Sequence, residues 1–361
     1  MKKLIGTVAA AALLASAAFA ELSFGAWLNN LSAVVASDGD EIRAGVANPW
    51  GAARSARFNL SYVSDDEKFG METGVYVEPW VTDPLKPAGN NHMWVRPWDW
   101  LKVSVGSFDD NNTGLRSDLC LPDWNWLRPN NYISAGEGIT FSDIAGNGLR
   151  LQLFPVEGLQ IAALIPVSPD FDAAKDIYNK MQIAAGYTIG DIGTIKLGWW
   201  GKSETDVENE FDVAFDLTAI DGMFLTVGTK LTITDDSDNN DYLVAVGWRY
   251  NFTDTFALLL DASAKFYGDS DIDPVFGAAV GVNVGFTDAL NLDAEVRWLH
   301  AGEDADSISF LVGLNYFVSS NGVLGIGFEG ITKGQGFCYG GALTYSDAFA
   351  WAVPIKVSIW F

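Results

Sequence analysis

The chain holds two histidines, His92 and His300, and two cysteines, Cys120 and Cys338, in 361 residues. An imidazole can act as a general base and a thiol as a nucleophile. Neither histidine lies near a GxSxG or HExxH pattern, or near a glycine loop that would cradle phosphate. The residue types for catalysis are present without the spacing, so we expect no enzyme and no cofactor. Two cysteines are too few for a disulfide scaffold, and a Cys120–Cys338 pair stays open in an oxidising compartment. The segment TDDSDNND gathers Asp235, Asp236, Asp238 and Asp241. Carboxylates so spaced can hold calcium, but the EF-hand glycine and distal glutamate are missing. A solvated acidic loop reads the same way, and we expect no metal.

The charges that do form a pattern alternate with apolar residues. In LNLDAEVRWL, Leu290, Leu292, Ala294, Val296 and Trp298 share one parity, while Asp293, Glu295 and Arg297 share the other. Successive side chains of a β-strand point to opposite faces, so one face is greasy and the other charged. TFALLLDASAKF repeats this with Asp261 and Lys265 against Phe256, Leu258 and Leu260. Collected over the chain, the charged parity carries Arg57, Arg96, Lys102, Arg150, Lys196, Lys230, Arg249, Lys265, Arg297 and Lys356. Its acids are Glu72, Glu78, Asp212, Asp216, Asp261, Asp293, Glu295 and Glu329. The chemistry available to such a wall is electrostatic, and its total is close to neutral. Arg57, Arg96, Lys102 and Arg150 fall within the second to sixth strands, which makes one arc mostly basic.

The elements that position these charges are strands. No helical period is sustained. Short connections such as PWDWL, PVEGL, AIDGMF and GFTDAL alternate with longer polar ones such as ASDGDEIRAGVANPWGAARSA, YGDSDIDP and AGEDADS. The two classes belong at opposite ends of an antiparallel set. About 18 strands fit between them, with 16 the main alternative. With 14 Trp, 22 Phe and 37 Gly, composition also favours β structure. Aromatics fall at strand ends: Trp94, Trp98, Trp100, Tyr187, Trp199, Tyr250, Phe252, Phe256, Phe286, Trp298, Tyr316 and Phe317.

The two termini decide the environment. MKKLIGTVAAAALLASAAFA has a basic start, an apolar stretch and a small-residue site at Ala18-Phe19-Ala20. We expect a signal peptide at 1–20 and one domain at 21–361. Its removal takes away Lys2 and Lys3 and no acid, so the net charge of −24 becomes −26. So acidic a chain is a poor partner for nucleic acid. The chain ends WAVPIKVSIWF, where Phe361, Ile359, Val357, Ile355 and Val353 alternate with Trp360, Ser358, Lys356 and Pro354. A flat sheet of this size would curl or split, and lipid tolerates no open strand edge. Together these readings predict an all-β transmembrane antiparallel barrel.

The last strand resembles the carboxy-terminal strand of bacterial outer-membrane β-barrels, which ends in Phe after alternating hydrophobics. The resemblance implies that the barrel-assembly machinery reads Phe361, Ile359 and Val357. With the signal segment and the alternating turns, the chain is similar to the general porin type. That implies an outer-membrane location among its lipids and a passive channel for small hydrophilic solutes and ions. It implies a homotrimer, with a monomer as the other option, and a third loop folded into the lumen. The longest connection, residues 109–146, is third in order and carries Asp109, Asp110, Arg116, Asp118, Asp123, Trp124, Trp126 and Arg128. Such a loop would set acids opposite the basic arc, although a solvated surface loop is also acidic. Two other functions fit a barrel. A solute-specific channel would take sugars on stacked tryptophans, or fatty acids. An adhesin or structural barrel would act through its outer loops.

Overall fold

A computed structural model describes residues 22–37, 39–46, 56–77, 85–87, 89–108, 113–119, 139–142, 144–167, 174–201, 209–237, 240–301, 306–339 and 342–361. The expected signal segment lies outside these residues. In chain order the strands are β1 (Leu22–Ser37), β2 (Ile42–Val46), β3 (Ala56–Val63), β4 (Phe69–Val77), β5 (Leu85–Pro87), β6 (Asn91–Trp98), β7 (Leu101–Phe108), β8 (Ser117–Leu119) and β9 (Ile139–Phe141). There follow β10 (Gly146–Val156), β11 (Leu159–Pro166), β12 (Gln182–Ile189), β13 (Gly193–Gly201), β14 (Asn209–Leu217), β15 (Met223–Ile233), β16 (Asp241–Thr253) and β17 (Phe256–Tyr267). The last are β18 (Val275–Thr287), β19 (Leu290–Ala301), β20 (Ser307–Ser319), β21 (Gly322–Ile331), β22 (Gly334–Tyr339), β23 (Ala342–Ser346) and β24 (Ala350–Trp360). Among the described residues one helix, α1 (Ala174–Lys180), stands in the connection before β12. The sequence has no sustained helical period there, and a seven-residue helix is too short to show one.

Eighteen strands pair antiparallel with their neighbours, and β24 closes the ring on β1. That matches the expected number. The remaining short strands, β2, β5, β8, β9, β22 and β23, all lie in the long connections, which leave the barrel wall at one end. Both chain termini of the barrel lie at the other end, among the tight turns. Those turns carry their own chemistry. Gly158 and Gly222 follow Glu157 and Asp221 with φ of 79° and 73°, a region glycine enters without strain. At Ser64–Lys68 the Ser64 hydroxyl bonds Asp66 and holds its carboxyl below the usual carboxylate range. Lys68 does the same for Asp99 through a 2.8 Å hydrogen bond.

The barrel is inverted relative to a water-soluble domain. Large apolar side chains such as Leu197, Val213, Leu260, Val296 and Ile326 are exposed on the outer surface. Charged and polar side chains such as Arg150, Asp212, Asp293, Glu295 and Asn315 are buried on the inner one. A surface of this kind fits hydrocarbon, and ring closure leaves no unpaired edge in it. Aromatics ring both ends. Trp98 stacks on Trp100 at 5.3 Å by the short turns, and Tyr250, Phe252 and Phe256 continue that girdle. Tyr242, Phe266, Phe276, His300 and Trp298 form a contiguous run by the long loops. Trp94 is a correction. It shares its parity with Arg96 and points inward, where the Lys102 ammonium sits 4.4 Å from its ring centre.

The wall has unequal height. Strands β16 to β20 run 12 or 13 residues, whereas β3, β6, β7, β11 and β12 run eight. About 9–11 residues are needed to cross hydrocarbon at the usual tilt.

Candidate functional site

The inner wall across β11 to β16 is built from small residues. Ala162, Ala184, Gly186, Gly198, Ala214, Gly228 and Ala245 follow one another across neighbouring strands on the inward parity. Their lack of bulk leaves room for the third loop, whose described parts, 113–119, 139–142 and 144–145, lie against this wall. Leu115 and Ile144 pack with Phe108, Ala162, Leu164 and Ala184. Phe141 packs with Ala214, Leu243 and Ala245 and sits over Gly228, where a Cβ would meet its ring at 2.7 Å. The short ladder of β8 with β9 stiffens the inserted piece.

Polar contacts fix the same pieces. Gln160 Nε2 donates to the Thr113 carbonyl at 2.8 Å, and the Gln182 amide exchanges two hydrogen bonds with Ala145. Lys196 donates to the Arg116 carbonyl at 2.7 Å and pairs with Asp216 at 2.8 Å. The Asp216 carboxylate also accepts from Ser117 and Thr226. The Ser142 amide donates to Asp212 at 3.1 Å. Lys230 bridges Glu210 at 3.1 Å and Asp212 at 3.9 Å. Thus the expected inner residues Lys196, Lys230, Asp212 and Asp216 hold the loop in place. Breaking a buried ion pair by deleting one partner costs about 3–5 kcal/mol. Lys196→Met should therefore lower barrel stability by about 3 kcal/mol in thermal melts. The double variant Lys196→Met/Asp216→Leu should recover much of that loss.

The remaining charges separate into two arcs. Arg57 lies by Tyr76 and Asn59, and Arg150 and Lys102 lie on adjoining strands. Arg96 reaches the Asp99 carbonyl near the short-turn mouth. Among the described residues, β3 to β10 present these four bases inward against Glu72. Nine strands away in either direction around the ring, β19 faces β10. Here Asp293 accepts from Asn283 and from Asn315, the latter at 2.6 Å, and Glu295 pairs with Arg297 at 2.8 Å. With Asp261 and Glu329, this side holds four acids against Arg297 and Lys265. Lys265, paired to Asp241, and Arg249, bonded to Asn251, lie toward opposite mouths.

Arg57, Arg96, Lys102 and Arg150 thus lie on β3, β6, β7 and β10, and the acids of β17 to β21 lie on the strands across the ring from them. The expected loop acids Asp109, Asp110 and Asp123, with Trp124, Trp126 and Arg128, lie outside the described residues, as does Cys120. Asp118 is described only as part of β8. Arg116 contributes its carbonyl to the Lys196 contact. His92, Ser104, Gln152 and Gln182 are inner polar residues that charge counting passes over. Their parity on β6, β7, β10 and β12 is the signal that finds them. His300 lies at the loop-end rim, bonded to Asp306 at 2.8 Å.

No family model and no curated relative matches the sequence. Solved structures do match its fold. An anion-selective porin from Comamonas acidovorans has a TM-score of 0.56 at 11% identity, covering 94% of this chain and 99% of that one. A mutant porin of Rh. blastica has 0.53 at 17%, covering 94% and 100%. The trimer form of OmpT, an outer membrane protein of Vibrio cholerae, has 0.51 at 12%, covering 94% and 99%. At these identities the likeness is one of fold.

Proposed function

We propose that this porin-fold chain is a passive diffusion channel of a bacterial outer membrane, admitting small hydrophilic solutes and ions without chemistry. The observation that carries the reading is the inward, charged wall narrowed from one side by the third loop. Barrels of 16–18 strands leave an aqueous lumen. A field between a basic and an acidic arc orients polar solutes and disfavours apolar ones. The basic residues Arg57, Arg96, Lys102 and Arg150 line one side of this path, and Asp261, Asp293 and Glu295 line the other. Residues 1–20 serve export, and Phe361, Ile359 and Val357 present the terminal strand to the assembly machinery. The eight-residue strands on one side fall short of a hydrocarbon crossing, which supports contact there with further copies. A trimer agrees with the trimer form among the structural neighbours.

Proteoliposome swelling tests this reading. Swelling should be fast with small sugars and amino acids and slow as solutes grow. Liposomes that hold the folded barrel and do not swell would favour the adhesin or structural function. Saturable uptake of one sugar would favour the solute-specific channel.

A further inference from the structure

Six polar atoms on the inner face of three neighbouring strands are buried and have no hydrogen-bond partner among the described residues. They are Nδ1 of His92, Oγ of Ser104, all three guanidinium nitrogens of Arg150 and Oε1 of Gln152. The strand register brings them together. Ser104 stands opposite Arg150, and Lys102 stands opposite Gln152 on the same strand pair, with Trp94 opposite Ser104 on the other side. Arg150 is 0% exposed.

Two cations here rest on rings. The Arg150 guanidinium lies 4.0 Å from the centre of Phe108, and the Lys102 ammonium lies 4.4 Å from that of Trp94. Phe108 also meets the His92 ring at 5.0 Å. A ring face attracts a cation but neither neutralises it nor accepts its five N–H groups in their planar fork. A buried guanidinium left so is costly unless paired. The nearest carboxylate by register is Glu72, opposite His92, and among the described residues no ion pair joins it to Arg150 or Lys102.

We propose that this patch binds a small dissolved oxyanion, such as phosphate, sulfate or a carboxylate. The inference rests on the reading that the lumen carries solutes. The Arg150 fork would give two parallel charge-assisted bonds to two oxygens of the anion. The Ser104 hydroxyl would donate a third, and Lys102 would add charge beside them. The Gln152 amide can turn either end toward the site. An anion held here would make passage of its class saturable, where that of chloride is linear.

The test uses the refolded barrel in detergent micelles, titrated with inorganic phosphate and, at equal ionic strength, with chloride. Phosphate should raise the melting temperature saturably and give a calorimetric binding isotherm, and chloride should give neither. Arg150→Gln should weaken phosphate binding about tenfold or more, the value of one charged hydrogen-bonded partner. Ser104→Ala keeps every charge and should weaken it by a smaller factor. In buffer without oxyanions, Arg150→Met should be at least as stable as the parent, because it removes an unpaired buried cation. The same preparations are then placed in bilayers in potassium chloride. Conduction there without any phosphate effect in the micelles overturns the site and leaves the channel standing. Phosphate binding without conduction keeps the site and overturns the channel. Equal phosphate responses of the parent and Arg150→Gln also overturn the site.

Discussion

Phe141→Ala should release the inner loop from the wall and convert a steady pore into a wider, fluctuating one. Phe141 is fully buried among Ala214, Leu243 and Ala245, and its ring fills the space that Gly228 leaves. Deleting a buried phenylalanine side chain costs about 3–5 kcal/mol. Applied to loop docking, that shifts the docked-to-free ratio by two orders of magnitude or more, at about 1.4 kcal/mol per tenfold. The Ser142–Asp212 and Lys196–Arg116 contacts hold only while the loop is seated. Gly228→Leu approaches the same end from the wall, since its Cβ would stand within 3 Å of the Phe141 ring. Both variants keep the barrel strands intact. Single-channel records should show larger, noisier openings, and limited proteolysis should cut within 113–145. Unchanged conductance although the loop is cut would mean that the loop does not set the width of the path, and a protected loop would mean that Phe141 does not anchor it.

Deleting Phe361 should reduce folded barrel in the outer membrane severalfold. The residue closes the ring between the two ends of the chain. Its N–H donates to the Ala26 carbonyl at 2.9 Å, and its carbonyl accepts from the Ala26 N–H at 2.7 Å. Its ring lies 6.0 Å from that of Phe24, which in turn stacks on Phe58. Two backbone hydrogen bonds and a partly covered ring amount to about 2–4 kcal/mol. A loss of even 1–2 kcal/mol changes cellular abundance severalfold. Heat-modifiable migration of the outer-membrane fraction reads the result. Phe361→Tyr keeps the backbone bonds and the ring, and it should stay near parental levels. Undiminished levels of the deletion would remove the terminal residue from the account of closure and assembly.

The strands were legible because charge and grease alternate with period two over most of their length. Asp293, Glu295 and Arg297 against Leu292, Val296 and Trp298 admit only one orientation across a sheet with a lipid side. The same parity assigns Arg57, Lys102 and Arg150 inward without any knowledge of the turns. At Trp94 residue type and parity point in opposite directions, and parity decides. An aromatic near a strand end resembles a girdle residue, yet Met93 and Val95 beside it are the outward ones. The acidic arc was hidden by a sum. Bases and acids nearly cancel over the whole wall, and only their order around the ring separates them. The loop was legible in order and length but not in its resting place. That place is written in inward glycines and alanines, a signal of missing side chains that charge counting does not register. Helix α1 and the hairpins of the long connections left no periodic trace, being too short to repeat.

The central claim is a water-filled lumen with a transverse field, and the measurement that tests it most directly is single-channel conductance in a planar bilayer under a salt gradient. Large, steady, ohmic steps are expected, with a reversal potential that moves toward cation preference in Arg150→Gln and toward anion preference in Asp293→Asn. Absence of conductance from correctly folded protein, or a reversal potential indifferent to both substitutions, would contradict it.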